Sequence, residues 1–177
     1  MFFLFYGRMK LCTGLGCALL ALFLMASVNE SLADCRSDTV RISSELVKLF
    51  ASGCLSVNSA KKLMGNKASV KHQGGYWYLQ STGCFAIITL AAKSQEESVD
   101  DARLQLENDS GLLLRDMEKS LGPWKLVFAS KTSGVRFQVA GRGGKRTIVY
   151  ANLFTHKPVP GSPVSVLQLR RDTRNKK

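Results

Sequence analysis

Two histidines, His72 and His156, are the side chains of this sequence that exchange protons near neutral pH, and Cys84 is a nucleophile that either of them could activate. A thiol beside an imidazole is the one catalytic pairing these residue types offer. Their surroundings argue against it. His72 ends a strand-like run before Gly74 and Gly75, and His156 stands in a loop before Pro158, both ordinary places for an exposed histidine. Cys84 opens the apolar run Phe85 to Leu90, which reads as a core strand. The spacings that hold zinc, a serine nucleophile or a dinucleotide are missing from the chain. No metal site or cofactor is therefore expected. The residues favour a non-enzymatic protein, with a small exported enzyme using Cys84 and a histidine as the alternative.

Binding chemistry is better represented. The chain carries 25 Lys and Arg against 13 Asp and Glu, a net charge of +12. The excess is not spread evenly. Residues 123–177 hold 12 basic residues and a single acid, Asp172, whereas residues 34–122 balance 11 against 11. Arg136, Arg142, Lys145, Arg146, Arg170 and Arg171 are the expected contacts for an anionic partner, with a flexible basic tail over 170–177. Gly141, Gly143 and Gly144 surround Arg142 in a segment that could contact an anion, but the spacing is not that of a phosphate-binding loop. Solvated charge that keeps a protein soluble is the plainer explanation of the same excess. If strand alternation holds, Lys145 and Thr147 share the wet face while Ile148 and Tyr150 face the core.

Tyr76, Trp77 and Tyr78 lie in one short run, so a strand there turns the tryptophan to one face and both tyrosines to the other. With Trp77 inward, Tyr76 and Tyr78 form an aromatic contact surface.

The compartment is set by the N-terminus. Arg8 and Lys10 precede an uncharged stretch from Leu11 to Val28, and in Ser31-Leu32-Ala33 the outer two supply the small residues for cleavage. Residues 1–33 thus read as a signal peptide and place the mature chain in the periplasm or outside the cell. Cys35 stands where a lipoprotein would carry its lipidated cysteine, except that Asp34 replaces the usual small residue. Export leaves Cys35, Cys54 and Cys84. A helix between the first two would hold them roughly 20 Å apart or more, against the ~7 Å limit for a bridge. Cys54–Cys84 is preferred to Cys35–Cys84, and buried free thiols are the third outcome. Nucleic acid is an unsuitable partner for an exported chain. A protein or an anionic envelope component is expected.

Residues 34–169 are the right size for one domain. Ile42, Leu46, Leu49 and Phe50 mark a helix ending at Gly53, and a shorter helix runs from Asn58 to Gly65. Three strands follow: Ala68–Lys71, Tyr76–Leu79 and Phe85–Leu90. Ser94 to Glu97 has capping-box spacing, and Val99, Ala102, Leu106, Leu113 and Met117 share a helical face, which predicts one long helix reaching Gly122 with a break at Asn108–Gly111. Four more strands complete the chain: Trp124–Ala129, Val135–Ala140, Thr147–Phe154 and Val164–Leu169. The class is α+β: an antiparallel meander with two to three helices on one face. The order helix, glycine, strands occurs twice, compatible with two degenerate helix-plus-meander units.

Overall fold

The computed structural model describes residues 35–65, 68–80, 85–107, 110–128, 133–141 and 146–172. The described residues open with a helix over residues 35–52 (α1) whose inward stripe is Thr39, Ile42, Ser43, Leu46, Val47 and Phe50, spaced by one, three and four residues. Thr39 keeps its buried hydroxyl satisfied by donating to the Cys35 carbonyl at 2.9 Å. A second helix, α2 (Val57–Met64), starts on a reciprocal cap in which Ser59 N donates to Ser56 Oγ at 3.2 Å and Ser56 N to Ser59 Oγ at 2.8 Å. The third, α3 (Leu114–Leu121), has the Asp116 carboxylate accepting from Leu113 N at 3.1 Å. Both short helices end at a glycine in nearly the same conformation, Gly65 with φ +87° and Gly122 with φ +85°, where a side chain would be strained.

Each of these glycines leads into a four-stranded meander. The first comprises β1 (Ser69–Gln73), β2 (Tyr76–Gln80), β3 (Phe85–Ala91) and β4 (Asp101–Leu106). The second comprises β5 (Lys125–Phe128), β6 (Ser133–Ala140), β7 (Arg146–Leu153) and β8 (Val164–Arg171). The last strands of the two meanders pair with each other, giving one antiparallel sheet of order β1-β2-β3-β4-β8-β7-β6-β5. That order reads the same from either edge. The fold is α+β, as the sequence pattern predicts.

Strand alternation divides the sheet into two unlike faces. One register line crosses all eight strands through Val70, Leu79, Ile88, Leu104, Leu167, Ala151, Val135 and Leu126. Next to it run Trp77, Leu90, Ala102, Leu169, Val149 and Phe137. The helices cover this face: Ile42, Leu46, Val47 and Phe50 of α1 and Leu114 and Met117 of α3 join the same core. The helices also hold each other, since Arg36 of α1 donates to both oxygens of Asp116 on α3 at 3.0 Å. Among the described residues no helix is long and apolar enough to cross a membrane.

Four expectations are corrected. The long helix is not formed: residues 101–106 are β4, and among the described residues of 94–122 only Leu114–Leu121 is helical. Asp101 to Leu106 also alternates with period two, burying Ala102, Leu104 and Leu106 and exposing Arg103 and Gln105, and pairing with β3 and β8 selects that period. The faces of β7 are exchanged. Thr147, Val149, Ala151 and Leu153 are buried, because the strand's inward residues meet Leu169, Leu167, Phe137 and Val135, while Ile148 and Tyr150 lie on the opposite face. Arg170 and Arg171 belong to β8 rather than to a flexible tail. Finally, Cys54 is a free, exposed thiol, so the Cys54–Cys84 bridge does not form. It sits in the turn that reverses the chain from α1 into α2, where a side chain points to solvent. Cys35 is disulfide-bonded, and its partner lies outside the described residues, as does Cys84.

Candidate functional site

The helix-free face of the sheet carries the other half of every strand's side chains. Its central register line runs Lys71, Tyr78, Thr89, Arg103, Gln168, Tyr150, Arg136 and Lys125, one residue from each strand. At ~4.8 Å between strands this line is roughly 34 Å long. It holds four cations, two tyrosines and no acid. Among the described residues none of these four cations makes an ion pair; the pairs present are Arg36–Asp116, Arg41–Asp38, Lys48–Glu45 and Arg170–Asp101. The adjoining line is Gln73, Tyr76, Ala91, Asp101, Arg170, Ile148 and Gln138.

Among the described residues, a larger and a smaller recess open on this face. The larger, of about 520 Å³, lies over β2, β3, β4 and β8 and is walled by Tyr76, Tyr78, Arg103, Asp101 and Arg170 among others. Arg170 Nε donates to Asp101 Oδ2 at 3.0 Å, and Gln168, with its amide oxygen turned inward, accepts from the same guanidinium at 2.8–3.0 Å. The smaller, of about 150 Å³, is formed by Arg136, Gln138, Arg146, Ile148 and Asp172. There Gln138 accepts from Arg146 at 2.9 and 3.1 Å in the corresponding orientation. With the amides in that orientation a glutamine accepts from an exposed arginine in each recess.

The structure brings five of the eight expected contact residues onto one face. Arg136, Arg146 and Arg170 of the basic set and Tyr76 and Tyr78 of the aromatic set stand on this one face, with Tyr76 47% exposed. Arg171 departs from the group. Being next to Arg170 on a strand it points the other way, donating to Ser98 Oγ at 2.6 Å and Val99 O at 3.3 Å with its guanidinium 5.7 Å above the Phe50 ring. It joins the end of β8 to the β3–β4 connection and to α1. Arg142 and Lys145 lie outside the described residues. Trp77 packs on the helix side, its Nε1 donating to Ala92 O at 3.1 Å and its ring stacked on His72 at 4.3 Å. His156 lies in the β7–β8 connection, where its backbone carbonyl accepts from the Ser133 hydroxyl. Among the described residues no three His, Cys, Asp or Glu side chains cluster in a way that could hold a metal ion.

Sequence reasoning misses Arg103, Gln168 and Tyr150, and the cause is local. A helical reading of residues 94–122 absorbs Arg103 into the expected long helix, although the alternation of Asp101 to Leu106 marks it as an outward residue of a strand. Tyr150 is missed because strand alternation taken in the wrong phase places it in the core with Ile148. Comparison with protein-family models, with curated proteins and with solved structures returns no match for this chain.

Proposed function

We propose that this chain is an exported, non-enzymatic binding module, an inhibitor or an envelope-associated accessory, that receives an anionic partner on the helix-free face of its sheet. The observation that carries the proposal is the central register line, where Lys71, Arg103, Arg136 and Lys125 share the face with hydroxyl, amide and phenol groups and have no ion-pair partner among the described residues. A sheet face that served only as a solvated exterior has no need to align tyrosines with unpaired cations. Tyrosine and arginine together are the residues that dominate binding energy at protein interfaces. Export rests on the leader of residues 1–33, and N-terminal sequencing of secreted material should begin at Asp34.

Retention of the purified mature chain on an anionic envelope fraction tests the reading. Exposed ion contacts weaken as the Debye length falls from about 10 Å at 0.1 M salt to about 3 Å at 1 M. Reversing Arg136 and Arg146 to glutamate should reduce retention at low salt and flatten its salt dependence, with the fold intact by circular dichroism. Truncation should start at residue 173, because a cut at 170 removes the end of β8. Wild-type retention by both charge-reversal variants across the salt series would leave the basic surface as a solubility device.

A further inference from the structure

Resting on the reading of the helix-free face as a contact surface, we propose that the partner is an acidic polypeptide and that Arg103 is the residue that takes one of its carboxylates. The larger recess contains two arginines and one acid. Asp101 is committed to Arg170 at 3.0 Å, which leaves the recess with one uncompensated guanidinium, Arg103, exposed on the middle of the sheet. Its register neighbours are Thr89 and Gln168, and the next residues outward on that line are Tyr78 and Tyr150. None of these can supply a negative charge at neutral pH. All can donate or accept hydrogen bonds around an incoming group.

The composition of the face favours a carboxylate on a protein over a lipid or nucleic-acid polyanion. A duplex presents one charge about every 1.7 Å of axis, and its binders line up lysines and arginines to match. Here four cations share roughly 34 Å: two neutral residues separate Lys71 from Arg103 and two more separate Arg103 from Arg136, and Arg136 and Lys125 alone are direct neighbours. That density suits isolated Asp or Glu side chains on a mixed surface. A guanidinium fork matches a carboxylate through two parallel N–H donors, and Tyr76 and Tyr78 in the same recess offer flat apolar surface for the residues beside it.

Titration calorimetry of the mature chain at low salt against poly-L-glutamate, phosphatidylglycerol vesicles and dextran sulfate tests this at equal charge concentration. Poly-L-glutamate should bind tightest. Arg103→Gln should weaken that binding by about tenfold or more, Arg103→Lys should restore only part of it because the fork is lost, and Lys125→Gln, on the edge strand of the same line, should cost at most about threefold. Both Arg103 variants should melt as wild type, since the side chain is exposed and unpaired. Tighter binding of vesicles or dextran sulfate than of poly-L-glutamate overturns the assignment of the partner. Undiminished poly-L-glutamate binding by Arg103→Gln alongside loss in Arg136→Glu overturns the role of Arg103 while the contact surface stands. Absence of binding to all three probes, together with unchanged envelope retention in the Arg136 and Arg146 variants, removes the contact surface itself.

Discussion

Removing Asp116 should loosen α1 from α3 more than removing any other single charge described above. Its side chain is 10% exposed, and it accepts from Arg36 at 3.0 Å through both oxygens and from Leu113 N at 3.1 Å. Asp116→Ala therefore deletes the ion pair and leaves the first amide of the helix cap without its acceptor. A hydrogen bond to a charged group is worth about 1.5–3 kcal/mol, and loss of a cap about 1 kcal/mol. Arg36 is 40% exposed, so water recovers part of what the arginine loses. The expected cost is about 2–3 kcal/mol for Asp116→Ala and about 1–2 kcal/mol for Arg36→Ala, which leaves the carboxylate with Leu113 N alone. Arg41→Ala, whose partner Asp38 and own side chain are 61% and 55% exposed, should change stability by no more than about 0.5 kcal/mol. Urea unfolding followed by circular dichroism measures all three. With an m-value of about 2 kcal/mol per molar, Asp116→Ala lowers the midpoint by roughly 1 M at constant m. The double variant should show a coupling of about 1 kcal/mol. A coupling under about 0.3 kcal/mol, or an Asp116→Ala midpoint equal to that of Arg41→Ala, refutes the view that this pair holds the helices together.

Leu104 lies at the seam of the two meanders, fully buried between Ile88 and Leu167, so Leu104→Ala should cost about 2–5 kcal/mol by calorimetry while Gln105→Ala stays within about 0.5 kcal/mol. Equal losses at the two positions would contradict the division of the sheet into a packed and an open face. Peptide mapping after alkylation without reductant should label Cys54 in the folded protein and label Cys35 only once the protein is reduced. Protection of Cys54, or labelling of Cys35 without reduction, would contradict the described thiol states. Arg171→Ala should destabilise by about 1–2 kcal/mol through the lost contacts to Ser98, Val99 and Phe50, whereas Asp101→Ala should free Arg170 with little effect on the urea midpoint, because Arg170 is 59% exposed.

The strands bounded by glycine turns are legible because aromatic and β-branched residues cluster in them and little else competes. Tyr76 to Gln80 and Val164 to Arg171 lie within a residue or two of where the pattern puts them. Residues 94–122 mislead because two periods coexist there. Val99, Ala102, Leu106, Leu113 and Met117 satisfy 3.6, Ala102, Leu104 and Leu106 satisfy 2.0, and the choice is made by β3 and β8, of which β8 is distant in sequence. The inversion of β7 has the same origin. Ile148 and Tyr150 compete with Val149 and Ala151 for the core, so local sequence does not say which pair meets the helices; Leu167 and Leu169 decide. The candidate site is half visible. Basic and aromatic residues can be named one by one, but their union on one face depends on β4 pairing with β8, which no local pattern encodes.

That pairing also orders events in time. A chain made from its N-terminus has its first meander complete while β4, with Ala102, Leu104 and Leu106, still awaits its neighbour. The neighbour is the last of the described strands in chain order, and it must slot between β4 and β7 rather than add to an edge. Contacts between residues 101–106 and 164–171 close a long loop, which makes this step slow compared with the hairpins on either side. Until then the half-built protein shows a strand edge of the kind that recruits other chains. Any shortening that reaches into β8 should therefore appear first as aggregation during synthesis.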